Sequence, residues 1–216
     1  MNDPLDELVR LSNNTVDFNY YINKIPEHIS ASNDKWFLSK WREDEITFRP
    51  GHVIDDHEKI WKEIIGCDFN PRKTVMPLQW HVTDNVILTQ GMSESIDRDI
   101  GAVSTTIDWA SIGTDATAES EAQTDLIAED SGGSYARKQI STLGQRTRVN
   151  QTAKYGMVWD DGDISGTGLA IKEAGLHWNV SASSKCHCRI SFTTFTLNSG
   201  DLFVSQINET HANGTL

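Results

Sequence analysis

The sequence predicts a mainly β protein, an antiparallel β-sandwich or barrel with a partly helical N-terminal extension. From Thr74 onwards it contains eight short runs that are apolar or alternate between apolar and polar residues. Clusters of Gly, Asn, Asp and Ser separate these runs, and no long helical period interrupts them. No repeat of fixed period is present, which excludes a solenoid or a propeller.

Residues 1–73 are predicted to form a docking extension, separate from a β-sandwich domain over residues 74–216. Asp3-Pro4 is a favourable helix start, and residues 57–65 form a second helix that begins after two aspartates. Tryptophan is over-represented among residues that dominate interface energy, so those of the extension are predicted to anchor it on another protein. These candidates are Trp36, Trp41 and Trp61. The alternative is that the segment packs on the domain that follows.

The β domain is predicted from its runs taken in order. They cover residues 78–82, 86–90, 105–112, 135–143, 147–159, 169–178, 186–197 and 202–207. Residues 91–99 are predicted to form a short helix on the edge of the sheet. The strand ending at Gly113 runs into a polar, then acidic stretch, which is interpreted as a hinge between sheet segments with a solvated acidic face.

Composition and charge exclude several classes of protein. The 216 residues carry a formal net charge of -12, which argues against sequence-independent binding to nucleic acid. No run of about 18 apolar residues occurs, so a membrane span is not expected. The N-terminus lacks the order of a secretory signal, and the three cysteines form no even disulfide framework. Synthesis in a cytoplasm is therefore expected.

Cys186-His187-Cys188 is the most metal-like motif. In a regular strand the two thiols would share one face and His187 the other, so Cys186 and Cys188 are candidate ligands. Two further ligands would be needed, for which Cys67, His177 and His81 are candidates. The favoured interpretation is that the two thiols face the core and the histidine faces water. No metal and no cofactor are therefore expected.

No motif predicts catalysis, and the chain is expected not to be an enzyme. It contains neither a Gly-x-Ser-x-Gly elbow nor a cysteine-protease signature. The segment Asp160-Asp161-Gly162-Asp163 is interpreted as a hairpin turn. Arg137 and Lys138 are predicted to lie on an exposed sheet face, where they meet acidic residues of a neighbouring subunit or only solvent.

The order of six motifs resembles a family of small virion proteins of tailed phages and related viruses. The motifs are Asn85-x-x-Leu88-x-x-Gly91-Met92, residues 105–114 (TTIDWASIGT), residues 124–126 with Glu129, residues 171–178 (IKEAGLHW), residues 189–192 (RISF) and residues 200–204 (GDLFV). Asp115, residues 123–125 and His177 depart from the pattern of that family. The resemblance covers about residues 85–207.

This resemblance implies a non-enzymatic structural module of the virion, in its tail, neck, fibre or head decoration. The expected partners are other virion proteins and copies of the chain itself, as a homo-oligomer without nucleic acid or membrane. Glu173 and Gly175 are candidate contact residues, because the small residues Ala174 and Gly175 in this segment allow a neighbouring strand or subunit to approach closely. The alternatives are a receptor- or glycan-binding module and a glycan-degrading enzyme of the particle.

Overall fold

Ten strands form two antiparallel five-stranded sheets that pack together. The computed structural model describes residues 35–65, 76–134, 136–180 and 186–210. In chain order the strands are β1 Lys35–Arg42, β2 Gln79–Asp84, β3 Val86–Ile87, β4 Trp109–Gly113, β5 Lys138–Gln139, β6 Gln145–Val149, β7 Thr152–Trp159, β8 Leu169–His177, β9 Cys186–Leu197 and β10 Asp201–Thr210. Sheet A has the order β2-β1-β10-β7-β6, and sheet B has the order β3-β9-β8-β4-β5. The predicted mainly β class is confirmed.

Three helices accompany the sheets in the described residues. They are α1 Val53–Ile65, α2 Thr89–Asp99 and α3 Ile140–Leu143. Asp55 and Asp56 lie in the first turn of α1, where negative charge is favoured by the helix dipole. The helix predicted at residues 57–65 is therefore present with an earlier start, and the one predicted at 91–99 is present as α2. The helix predicted after Asp3 lies outside the described residues.

The main core fills the space between the two sheets. Its largest buried side chains come from both of them, including Trp36 of β1, Trp159 of β7, Phe203 of β10 and Phe195 of β9. Alternate residues of a strand point to opposite faces, so each sheet also has an outer face. Helix α1 covers the outer face of sheet A, where Val53 and Ile54 pack with Trp41 and strand β10.

The predicted boundary at residue 73 is wrong for residues 35–65. Strand β1 lies inside sheet A and pairs with β10 from Lys35↔Asn208 to Arg42↔Asp201, and with β2 on its other side. Trp36 and Trp41 are 1% and 0% exposed, and Trp61 is also buried. These tryptophans are therefore core residues of the sandwich, not anchors on an exposed docking segment. The sequence could not reveal this pairing, because β1 and β10 are far apart along the chain.

The acidic segment at residues 160–163 is not a hairpin turn. It connects β7 of sheet A to β8 of sheet B, so it crosses between the sheets. The Asp160 carboxylate accepts the N–H of Gly162 at 2.8 Å, and buried Asp163 pairs with Lys138 at 2.6 Å. Its carboxylates therefore hold the connection together.

His57 of α1 is buried against sheet A and is held in one tautomer. The Trp61 indole N–H, which can only donate, bonds to His57 Nε2 at 2.6 Å, so Nε2 accepts and the ring is neutral. Ser39 Oγ lies 2.8 Å from the same nitrogen and accepts a bond from the Trp41 indole at 2.7 Å. Burial lowers the pKa of His57 to about 3, opposed in part by the polar Gln206 side chain.

Stability should fall in acid because His57 must protonate on unfolding. Its pKa is near 6.5 in an unfolded chain and about 3 in the folded one, so the unfolded state binds the extra proton between these values. The contribution of neutral His57 to the free energy of unfolding is complete above pH 6.5 and is lost as the pH falls towards 3. Urea unfolding at pH 7 and pH 4.5 should show a smaller pH-dependent loss in His57→Gln than in the unchanged chain. An equal loss in both would contradict this account.

Candidate functional site

The largest group of buried charges in the described residues lies on the outer face of sheet B. Alternation places Glu173 and His177 of β8, Ser111 of β4 and Arg189 of β9 on this face, opposite the main core. Residues 114–130, here called the covering loop, fold back over it. The Asp130 N–H ties the loop to β4 by donating to the Ile112 carbonyl at 2.9 Å, and within the loop the Thr114 N–H donates to the Ala128 carbonyl at 3.0 Å.

Glu173 and Arg189 form a buried ion pair beneath the covering loop. Both side chains are 0% exposed, and the Arg189 Nε–H donates to Glu173 Oε2 at 2.7 Å. The other oxygen of Glu173 accepts the N–H of Ala128 at 2.7 Å, while Oε2 also accepts that of Ile127 at 3.1 Å. Buried ions need such additional hydrogen bonds to offset their desolvation. The pair therefore fixes the end of the loop to strands β8 and β9.

Arg189 also holds the first half of the covering loop. Its two terminal nitrogens donate to the Gln123 side-chain oxygen and to the Thr117 carbonyl, each at 3.1 Å. The Asp115 carboxylate lies 3.8 Å from Arg189 and caps the N–H of Thr117 at 2.7 Å. One guanidinium thus connects three points of the loop to the sheet.

Arg137 is the second buried guanidinium of this face. It donates to both oxygens of Glu129 at 2.8 Å and to both oxygens of Asp125 at 2.9 Å. Its remaining terminal nitrogen donates to the Asn179 carbonyl at 3.0 Å. The acidic stretch predicted to face solvent therefore supplies the counter-charges of a buried arginine of the same chain.

Ser111, His177 and Asp125 stand in a line next to this arginine. Ser111 Oγ lies 2.6 Å from His177 Nε2, and His177 Nδ1 lies 3.5 Å from Asp125 Oδ1. The sequence of hydroxyl, imidazole and carboxylate resembles the nucleophile, general base and carboxylate of a catalytic triad. However, Ser111 is 1% exposed and lies under the covering loop. The covering loop therefore separates the Ser111 hydroxyl from solvent.

Burial sets the protonation of the groups in this line. It lowers the pKa of His177 well below its ordinary value, and the Arg137 charge lowers it further. Burial raises the pKa of Asp125, although the Arg137 charge opposes that change. It also raises the pKa of the adjacent Cys186 thiol well above its ordinary value, with the Asp125 charge as the next cause. Imidazole and thiol are therefore neutral at pH 7.

The two predicted thiol ligands do not share a face. The pairing of β8 with β9 shifts register between Leu176 and His177, so Cys186 opposes His177 while Cys188 opposes Leu176. Cys188 packs in the main core, whereas Cys186 packs on the outer face with Leu126. The bulge breaks the alternation on which the prediction rested.

The prediction that His187 faces water is also wrong. The side chain is buried, and its Nε2 lies 3.0 Å from a Glu209 carboxylate oxygen. Its ring packs edge to face on Trp178, with the ring centroids 4.9 Å apart. Of the further ligands considered for the thiols, His177 lies beside Cys186, and Cys67 lies outside the described residues.

All seven predicted interface residues are buried inside the chain. They are Trp36, Trp41, Trp61, Arg137, Lys138, Glu173 and Gly175. A side chain added at Gly175 would meet Leu126 of the covering loop at 2.5 Å, so the close approach predicted there is made by the chain's own loop. Lys138 donates to Asp163 and to the Val158 carbonyl. The prediction that Arg137 and Lys138 lie on an exposed sheet face is therefore wrong, and the three tryptophans are not exposed anchors.

A groove of about 590 Å³ lies on the outer face of sheet A beside α1. Phe37 and Trp61 contribute aromatic surface, with ring centroids 6.0 Å apart, and Gln206 and Asn208 contribute side-chain amides. Glu58 forms an ion pair with Lys154 at the groove. Aromatic rings beside amides and a carboxylate are typical linings of small-ligand sites.

Comparisons with known proteins return no match, whether with family models, with curated proteins or with solved structures. Among the described residues, no helix combines the length and the apolar character needed to cross a membrane.

Proposed function

We propose that this chain is a structural component of a tailed virus particle, where it assembles with copies of itself and with other virion proteins. The resemblance over residues 85–207 gives the class of particle. Two features of the described residues support a structural role over catalysis. The polar groups of the outer face are engaged in holding the covering loop, and a row of apolar side chains remains exposed on α2.

The exposed row on α2 is the observation that carries the proposal. Met92, Ile96 and Ile100, just past the helix end, are 50%, 54% and 73% exposed and recur every four residues, so they lie along one side of the helix. The opposite side packs on β9, where Gly91 approaches the His187 backbone. Exposed apolar residues that are grouped in this way mark contact surfaces.

A second copy of the chain is the proposed occupant of this row. Copies that each carry a net charge of -12 repel one another, so their contact is favoured where the side chains are uncharged. A row of equally spaced apolar residues is self-complementary when two copies meet about a two-fold axis. Other virion proteins would then contact the remaining surface of the assembled copies.

Replacing Met92 and Ile96 with glutamate should convert the oligomer into a monomer, because each copy would bring two new negative charges to the contact. Light scattering after size exclusion gives the mass in solution. Val149→Glu is the matched control, since Val149 is 49% exposed but lies on β6, and it should keep the oligomer. A monomeric unchanged chain, or an oligomer that survives both glutamates, would contradict the proposed contact.

The virion role itself has a separate test. Purified tailed virus particles should contain the chain by mass spectrometry, and particle images should place it at a fixed site and copy number. Its presence only in the lysate, with none in purified particles, would refute a structural role.

A glycan-binding module is the second candidate, and the groove beside α1 favours it. Titration of the chain with a panel of host surface glycans should then show binding that Phe37→Ala weakens. The alternative of a glycan-degrading enzyme would need carboxylates that are free to act on a sugar. At residues 160–163 it is not supported, because Asp163 is paired with Lys138. No hydrolysis of the same glycans is therefore expected.

A further inference from the structure

Three potential metal ligands meet between the covering loop and sheet B. A carboxylate oxygen of Asp125, Nδ1 of His177 and Sγ of Cys186 all lie within 4.8 Å of one another. The Asp125 Oδ1 and His177 Nδ1 atoms are 3.5 Å apart. Oxygen and nitrogen ligands of a tetrahedral Zn²⁺ ion, with bonds of about 2.0–2.2 Å, stand about 3.4 Å from each other. The spacing of this pair therefore suits a shared ion.

His177 Nδ1 is a buried nitrogen without a hydrogen-bond partner in the described residues. The ring is completely buried, and its other nitrogen is engaged with Ser111 Oγ at 2.6 Å. When Nε2 carries the ring proton and donates it to Ser111, Nδ1 directs its lone pair at the Asp125 carboxylate. Two acceptors that face each other in a buried site are unfavourable unless a cation lies between them. A hydrogen bond from the far nitrogen is also the usual support of a histidine ligand.

The charges of the site favour a divalent cation. Asp125 and Glu129 carry one negative charge each and Arg137 carries one positive charge, so the group has an excess of one negative charge. Adding a divalent ion and ionising the Cys186 thiol brings the total to zero. The Asp125 carboxylate accepts three hydrogen bonds, two from Arg137 at 2.9 Å and one from the Leu126 N–H at 3.0 Å, which leaves one of its roughly four acceptor positions for an ion.

We propose that Asp125, His177 and Cys186 bind a divalent metal ion, and that Zn²⁺ suits this set of carboxylate, imidazole and thiolate ligands. As the sulfur–metal bond forms, the Cys186 thiol releases its proton to solvent and gives up its bond to the Cys188 carbonyl, now 3.1 Å long. Water completes the fourth position. The ion joins the covering loop to β8 and β9, so its role is structural.

The test begins with the full chain after treatment with a chelator and dialysis. Addition of Co²⁺ should produce the absorption band of a cobalt–thiolate bond, saturating at one ion per chain, and Zn²⁺ should abolish the band by displacement. Calorimetry in buffers of different ionisation enthalpy should find one proton released per Zn²⁺ bound. Circular dichroism of each sample establishes that it is folded.

Variants separate this site from other thiols. Cys186→Ser should lose the cobalt band and bind Zn²⁺ weaker by on the order of 100-fold or more, and Ser111→Ala should weaken binding roughly 10- to 100-fold. Cys188→Ser is the matched control, because that thiol lies in the main core, and it should keep the band. Cys67→Ser should keep it as well.

Two results would overturn the proposal. One is a folded, unchanged chain that shows no cobalt–thiolate band, which would mean that the space between His177 and Asp125 is filled by a ring proton on Nδ1 alone. The other is a band that persists in Cys186→Ser or disappears in Cys67→Ser. If Cys186→Ser does not fold, the same comparison is made with Asp125→Asn, for which Zn²⁺ binding as tight as in the unchanged chain would count against the site.

Discussion

Replacing Glu173 with alanine should lower the free energy of unfolding by roughly 3–5 kcal/mol, because Arg189 then remains buried without its counter-charge. The change also removes the acceptor of the Ala128 and Ile127 N–H groups, which hold the end of the covering loop. Urea unfolding followed by circular dichroism measures the loss. We expect this to be one of the two largest effects of any change considered, since it breaks the ion pair and releases the loop together.

Two controls show whether the buried charge is the cause. The double variant Glu173→Gln/Arg189→Gln removes both charges and keeps polar atoms, so its loss should be smaller than the sum of the two single losses. Arg49→Ala breaks an ion pair with Asp56 of similar length, 2.8 Å, whose arginine is exposed, and should change stability very little. Additive losses in the double variant, or equal losses in Glu173→Ala and Arg49→Ala, would contradict the account.

Deleting residues 1–66 should prevent folding of the remaining chain. The deletion removes β1 from the interior of sheet A, so β2 loses its partner strand, β10 is left paired with β7 alone, and Trp36 and Leu38 leave the main core. It also removes α1 and uncovers the outer face of that sheet. The truncated protein should be insoluble, or show no cooperative unfolding transition.

Deleting residues 1–34 is the matched comparison. The truncated chain keeps every described strand and helix, so it should unfold cooperatively at a denaturant concentration close to that of the full chain. A soluble, cooperatively folded product of the longer deletion would show that residues 35–65 are dispensable, as the predicted docking extension required.

The fold class was predictable from the sequence because it depends on local patterns. Alternation and turn residues are sufficient to place β8, β9 and β10 within a few residues. The position of β1 inside sheet A was not predictable, because its partner β10 lies at the other end of the chain. The sequence around Trp36 is equally compatible with a core residue and with an interface residue.

The candidate site was predictable only in part. The sequence allows Glu173 and His177 to be placed on the same face of a strand, because they are four residues apart and alternate residues of a strand point to opposite faces. Nothing local showed that this face would be covered by the loop, or that Arg137 and Arg189 would find their carboxylates there. The prediction that Cys186 and Cys188 share a face failed because of the bulge beside His177. A shift of one residue in register moves a side chain to the opposite face of the sheet.

The measurement that tests the account most directly is amide hydrogen exchange of the covering loop. If buried charges fasten the loop to sheet B, the Ile127 and Ala128 N–H groups should exchange nearly as slowly as those of β8, and Glu173→Gln should accelerate them selectively. Exchange of these two amides at the rate of an unstructured peptide in the unchanged chain would contradict the account.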